Sequence, residues 1–211
     1  VIAVRRARAA DAVAIGAVHV AVWRSAYAGI LPDSYLARLS VSRQAVHYDA
    51  AIRGGGVVHV ATAAGADVPG GSAPRIVGFA TGGRGRSGTA LLGQGSLGQG
   101  VLGQGATVRR LGDAEIETLY VLDDWRERGI GRRLMRGVAG QLAETGCRSA
   151  FVWVLRDNPS RWFYHALGGR PAAESVTSVA GSPVVQTAFV WDPIEKLLQP
   201  SAQSPRREAP P

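Results

Sequence analysis

Apolar positions recur along this chain in two rhythms, one near every second residue and one near every third or fourth, marking strands and helices. A short strand is predicted from about Ile2 to Arg6, and Asp11 then stands where a helix N-cap belongs. Ile15, Val18 and Val22 follow at helical spacing. Gly29 and Pro32 break the segment WRSAYAGILPDSYLARL into a turn and a second short helix. A further helix is predicted from about Ser42 to Arg53, ending at Gly54-Gly55-Gly56. VVHVATAA (57–64) and RIVGFATG (75–82) read as two strands, and the Gly/Pro/Ser loop between them suits a hairpin.

The rhythm fails over residues 83–111, where three pentads, LGQGS, LGQGV and LGQGA, sit in glycine-rich sequence. A five-residue period matches neither a helix nor a strand face, and glycine loses the most entropy on ordering. The stretch is expected to be a flexible insertion between two strands. A phosphate-cradling role is disfavoured because no helix start follows it.

Patterning returns with EIETLYVL (115–122), a predicted strand, and a helix from about Gly129 to Thr145 with Ile130, Leu134, Val138 and Leu142 on one face. Gly146 sits where a C-cap glycine belongs. SAFVWVL (149–155) is apolar on both faces, as a strand covered on both sides should be. Asn158 and Pro159 form an N-cap and first-turn pair for a helix ending at Gly168-Gly169. Strands near 174–179 and 184–191 complete a mixed sheet, for an α+β fold. The folded domain is expected to span 1–192, with a tail at 193–211 that is mobile beyond Gln199.

At 211 residues there is room for one sizeable domain, and 46% hydrophobic with 19% charged residues is ordinary for a globular protein. No uninterrupted apolar run reaches about 18 residues, so no transmembrane helix and no membrane partner are expected. The first residues, VIAVRRARAAD, do not read as a signal peptide, because the arginines follow the apolar residues and no h-region is present. A single cysteine, Cys147, excludes a disulfide framework, and a cytoplasmic setting is expected. The four histidines share no metal-ligand spacing, so no metal is expected. The net charge of +8 is carried by arginine, since Lys196 is the only lysine. That balance suits a phosphate-bearing partner, or reflects arginine replacing lysine on solvated faces; it identifies no partner by itself.

Candidate chemistry concentrates in LYVLDDWRERGIGRRLM, where a strand, a short loop and two glycines open a helix with arginines in its first turn. Glycines at 129 and 131 let backbone approach a ligand closely. The helix's first N–H groups and its dipole suit a pyrophosphate, to which Arg126, Arg132 and Arg133 would add charged donors. The rival is a dinucleotide-binding Rossmann turn. Against it, the glycines lie about seven residues past the strand, and Leu134 replaces the third glycine of G-x-G-x-x-G. The unit also comes too late in the chain to leave room for a doubly wound sheet, although Asp157 falls near where a ribose-binding acid would sit.

RERGIG resembles the cofactor motif of the GCN5-related N-acetyltransferase (GNAT) superfamily: Arg or Gln, two residues, Gly, one residue, then Gly or Ala. AEIETLYV resembles that family's fourth strand, NPSRWFYHALG its Asn…Phe-Tyr…Leu-Gly segment, and HVAVWRSAYAGILPDSYLARL the first two helices of many bacterial members. The resemblance covers roughly residues 1–192 apart from 83–111. It implies a mixed, mostly antiparallel twisted sheet of six to seven strands flanked by helices, around a strand–loop–helix–strand cofactor unit.

It also implies an acetyl-CoA-dependent N-acetyltransferase, in which an acceptor amine attacks the acetyl thioester directly. The backbone of Arg126, Glu127, Arg128, Gly129, Ile130, Gly131 and Arg132 would hold the pyrophosphate. Leu119, Tyr120 and Val121 would pair with the pantetheine arm in a slot between the splayed fourth and fifth strands, and an N–H near Val121 would polarise the thioester carbonyl. Asn158 matches a residue that contacts the arm. Glu115, or Glu117 two residues on and on the same face unless a bulge intervenes, would serve as base. Tyr164 would protonate the departing thiolate.

Each assignment has a plainer counterpart. Tyr164 also reads as a packed aromatic, the glutamates as surface carboxylates, and Asn158 as a helix cap. Cys147, just past a helix C-terminus, reads as structural. Trp23 and Tyr27, four apart, read as core or as the lining of an acceptor pocket. A small-molecule or peptide amine is the expected acceptor, with an aminoacyl-tRNA or a non-catalytic acetyl-CoA sensor as alternatives. A homodimer is compatible with the sequence, which does not read out oligomeric state.

Overall fold

The computed structural model describes residues 1–65, 74–85, 111–179 and 181–199. Seven strands form one sheet: β1 (Ile2–Arg6), β2 (Val57–Ala63), β3 (Arg75–Arg84), β4 (Ala114–Val121), β5 (Ala150–Leu155), β6 (Arg170–Val179) and β7 (Ser182–Trp191), in the order β1-β2-β3-β4-β5-β7-β6. Only β4 and β5 run parallel; the other neighbours are antiparallel. Among the described residues five α-helices flank the sheet: α1 (Ala12–Ala26), α2 (Asp33–Ala37), α3 (Val41–Arg53), α4 (Ile130–Glu144) and α5 (Arg161–Ala166). The mixed, mostly antiparallel sheet with flanking helices is the architecture expected.

The parallel pair requires a crossover, and α4 supplies it. Its stripe of Ile130, Leu134, Val138 and Leu142 is at most 1% exposed and packs on Ala61, Val77, Ala80 and Ile116 of the sheet. At about 1.5–3 kcal/mol for each large side chain buried, this stripe fixes α4 to one sheet face. The opposite face is covered by α1 and α3: Ile15, Val18, Val22 and Trp23 pack with Tyr48 against Val58, Val60, Phe79 and Tyr120.

Several local expectations are revised. Asp11 does not cap α1 with its side chain. Its carboxylate reaches back to the Arg8 amide at 2.7 Å, closing a 3-10 turn over Ala9–Asp11, and pairs with Arg5 at 2.7 Å. The Arg5 hydrogen bond is the main cause holding this carboxyl below its ordinary value. At α3 the N-cap is Ser40, whose hydroxyl accepts the Arg43 amide. α5 starts later than expected, at Arg161: Asn158 accepts the Ser160 amide at 2.9 Å, and a turn of three-residue bonds precedes the helix. β6 and β7 begin four and two residues earlier than their sequence patterns suggest. Past residue 192, Ile194 and Leu197 lie in a 3-10 turn and are buried in the core beside α4.

Most of the glycine-rich stretch, residues 86–110, lies outside the described residues, as does the tail beyond 199. At its edges β3 continues to Arg84, and the Gly85 N–H bonds the Asp113 carbonyl at 2.8 Å. No helix among the described residues is long and apolar enough to cross a membrane, and no group of His, Cys, Asp or Glu there has the makings of a metal site.

Candidate active site

The register between β4 and β5 is short. Ala114, Glu115 and Ile116 pair with Ala150, Phe151 and Val152, and pairing then stops. Beyond that point β4 pairs only with β3, and β5 only with β7. The facing edges of Thr118–Val121 and Trp153–Leu155 therefore carry backbone groups that no strand uses. A cleft of about 500 Å³ lies between them. It takes in Leu119, Tyr120 and Val121 on one wall and Val152 to Leu155 on the other, with Val22 and Ala26 of α1 and Tyr27 just past it over one end. An extended polar arm fits an unpaired strand edge of this kind.

At the opposite end the cleft meets the loop before α4. Arg126, Glu127, Gly129, Ile130, Gly131 and Arg132 all line it. Gly129 caps the helix at φ +72°, in the left-handed region that favours glycine. The first intrahelical bond runs from the Arg133 N–H to the Gly129 carbonyl, so the amides of Ile130 and Gly131 lie outside the helical ladder. Those amides, with the positive end of the helix dipole, make an arrangement that can accept an anion. Gly131 also has a packing role beside the one its spacing suggests: a Cβ there would come within 3.1 Å of the Phe163 ring, so the glycine accommodates an aromatic that itself lines the cleft.

Two arginine side chains are engaged elsewhere, which bears on their guanidinium groups and not on the Arg128 backbone N–H. Arg133 donates to the Ile2 carbonyl on β1, and Arg128 lies over the Trp125 ring at 4.7 Å instead of lining the cleft. Arg126 lines the cleft while paired with Asp123 at 2.7 Å. The Ser25 hydroxyl also donates to Asp123, tying α1 to this loop.

The two candidate bases separate. β3 and β4 slip register between Thr81 and Gly82, so Thr81 pairs with Thr118, Gly82 pairs with Ile116, and Glu117 is the extra residue of a bulge. Glu117 lines the cleft and accepts the Thr81 hydroxyl at 3.2 Å. Glu115 is buried and lies outside the cleft lining. α5 and the turn before it arrive together: Asn158, Phe163 and Tyr164 all line the cleft. Tyr164 is buried, its ring stacked on Phe189 and edge-on to Trp191.

Burial, then the neighbouring Tyr27, pushes the Tyr164 phenol up; burial first also raises Tyr27 and Tyr120, so all three present neutral hydroxyls at neutral pH. Of Trp23 in α1 and Tyr27 just past it, Tyr27 reaches the cleft while Trp23 packs inside, stacked on His19. Cys147 is in the core behind α4. Thr118, Trp125, Trp153, Ser160 and Phe163 line the cleft without having been singled out. Of these only Phe163 carried a sequence signal, in the Phe-Tyr pair.

A family model described as FR47-like protein matches residues 104–178. An uncharacterized N-acetyltransferase of Bacillus subtilis, YuaI, is 29% identical over 196 residues, covering 93% of this chain and 96% of the relative. A putative acetyltransferase of Salmonella typhimurium, yncA, solved with acetyl-CoA, superposes with a TM-score of 0.59 at 18% identity, over 95% of this chain and 96% of that one. A phosphinothricin acetyltransferase of Sinorhizobium meliloti, also solved with acetyl-CoA, gives 0.58 at 17% identity, over 97% and 96%. At these identities the structural likeness is one of fold. Taken together, the RERGIG loop, the splayed central strands and the sequence match across the cofactor unit make the chain similar to the GCN5-related N-acetyltransferases in its fold and in the sequence of its cofactor loop.

Proposed function

We propose that this protein transfers the acetyl group of acetyl-CoA to a primary amine by direct attack within a ternary complex. The observation that carries the reading is one continuous cleft, open along the unpaired edges of β4 and β5, with an anion-binding helix start at one end and Glu117 and Tyr164 within it. The residues present suit the donor. Ile130 and Gly131 offer amides to its pyrophosphate, and the free edge of Leu119–Val121 matches an extended pantetheine arm. An N–H near Val121 supports charge building on the thioester oxygen.

Glu117 is the better base, because it lines the cleft and Glu115 does not. An alkyl amine with a pKa of about 10.4 is mostly protonated at neutral pH, and releasing that proton costs on the order of 4 kcal/mol at about 1.4 kcal/mol per unit. Glu117 accepts the proton, directly or through a water, as nitrogen attacks the carbonyl carbon. The C–S bond breaks, and Tyr164, a protonated phenol in the cleft, supplies a proton to the leaving sulfur. Asn158 orients the arm at the β5 end. A small-molecule or peptide amine acting in the cytoplasm is the acceptor class we favour.

Calorimetric titration with acetyl-CoA, using NAD as control, tests the reading. Saturable binding of acetyl-CoA alone supports it, and thiol release can then be screened across amines. Binding of NAD alone, or of neither ligand, overturns it.

A further inference from the structure

The bulge that brings Glu117 into the cleft also gives its carboxylate a specific partner. Thr81 Oγ1 lies 3.2 Å from Glu117 Oε2 and 2.9 Å from Thr118 Oγ1. Both threonines are buried, at 5% and 6% exposure, so water does not compete freely for their hydroxyls. A hydroxyl has one proton to give, and an ionised carboxylate only accepts. Both contacts are therefore satisfied in one arrangement: Thr118 donates to Thr81, and Thr81 donates to Glu117. The chain polarises toward the carboxylate, each bond strengthening the next.

We propose that Thr81 is a positioning residue for Glu117, holding Oε2 through the hydroxyl chain from Thr118 so that Oε1 is left to meet the acceptor amine. The inference rests on the acetyl-transfer reading of the site. Among the described residues no cation pairs with the Glu117 carboxylate, so hydroxyl donors carry the task that an arginine or lysine often performs. The ionisable groups around it are Tyr48 from α3, whose phenol is raised by burial and then by the Glu117 charge, and His19 of α1, whose Nδ1 lies 2.7 Å from the Tyr48 hydroxyl. Glu115 stands two residues back on the same strand. The cleft adds Tyr27, Tyr120 and Tyr164, with Arg126, Glu127 and Arg132 at its loop end. Opposite, Gly83 leaves open the place where a Cβ would approach Glu117 Oε1 to 3.4 Å. When Glu117 takes the amine proton on Oε1, Oε2 remains an acceptor, so the hydroxyl chain stays in place through the step.

Turnover by the full chain at saturating acetyl-CoA, with calorimetry of acetyl-CoA beside it, reads this. Thr81→Val is expected to lower kcat about tenfold with acetyl-CoA affinity unchanged, since the carboxylate loses a donor. Thr81→Ser keeps the hydroxyl and should hold kcat within about twofold of the unmodified chain. Thr118→Val, one step further back, should give a smaller loss, and serves if Thr81→Val folds poorly. In a Glu117→Gln background Thr81→Val should add less than about twofold, whereas a purely structural role would add its full loss there. An equal loss in both backgrounds, or no loss in either valine variant with acetyl-CoA binding intact, overturns the role of Thr81 alone. Failure of acetyl-CoA to bind the unmodified chain overturns the functional reading beneath it.

Discussion

Glu117 and Glu115 are two residues apart on one strand, yet only Glu117 reaches the cleft. If Glu117 is the base, Glu117→Gln should lower kcat by about a hundredfold or more while leaving acetyl-CoA affinity unchanged, and Glu115→Gln should leave kcat within a few-fold. Tyr164→Phe should lower kcat by about ten- to a hundredfold. Steady-state kinetics with calorimetry separates these effects, and equal losses for the two glutamates would contradict the assignment. A second residue-scale expectation concerns His19, buried against Trp23, Tyr48 and Tyr120. Burial, and then the nearby His47 charge, holds its ring down to about 3 from an ordinary 6.5. As pH falls through 6.5 the unfolded chain gains a proton that the native chain refuses until about 3, so stability is lost progressively across that window. At pH 4.5 the loss from this group should be roughly 2–3 kcal/mol relative to pH 8, at about 1.4 kcal/mol per unit. Urea unfolding at the two pH values reads it. His19→Gln, which retains a partner for Tyr48, should narrow the gap, and an unchanged gap would mean that His19 is not the group responsible.

At the scale of elements, α4 was the most legible in the sequence. Its apolar stripe, glycine start and glycine stop agree with one another, and local propensity and tertiary packing ask for the same thing there. The strand–loop–helix order of the cleft was legible for the same reason. The bulge at Glu117 was not, because it arises from the register of β3 against β4, set by Thr81 and Gly82 more than thirty residues away. Arg133 was assigned to the ligand because charge in a first helical turn suggests an anion, whereas β1 happens to present a carbonyl to it. Asp11 does hold the N-cap position of α1, but its carboxylate closes the turn before the helix instead of bonding a helix amide. Gly131 shows how one residue can satisfy a motif for a reason the motif does not state. Gly131→Ala should press its methyl on the Phe163 ring and push that ring into the cleft, weakening acetyl-CoA binding by about tenfold. Phe163→Leu in the same background should restore most of the loss. If calorimetry finds no such rescue, the clash is not what makes the glycine necessary.

Over the whole molecule, the seven strands divide at β4 and β5 into two panels. One runs β1-β2-β3-β4 and is complete by residue 121; the other, β5-β7-β6, starts at 150. Three register pairs fasten them at one end, and α4 laces across the back. The far end gapes, and its open edges are those that the acetyl-CoA arm is proposed to occupy. A ligand lying there does more than fill a hole: it supplies the missing rungs of a ladder, so that donor binding and the mechanical closure of the sheet become one event. Amide hydrogen exchange at 118–121 and 153–155 should slow when acetyl-CoA is added, well beyond any change at the β2–β3 seam. Equal slowing at both seams would mean that the gap is not where closure occurs. On the proposed reading, the protein without its donor is two panels of one sheet fastened along three residue pairs, and the donor is the second fastening.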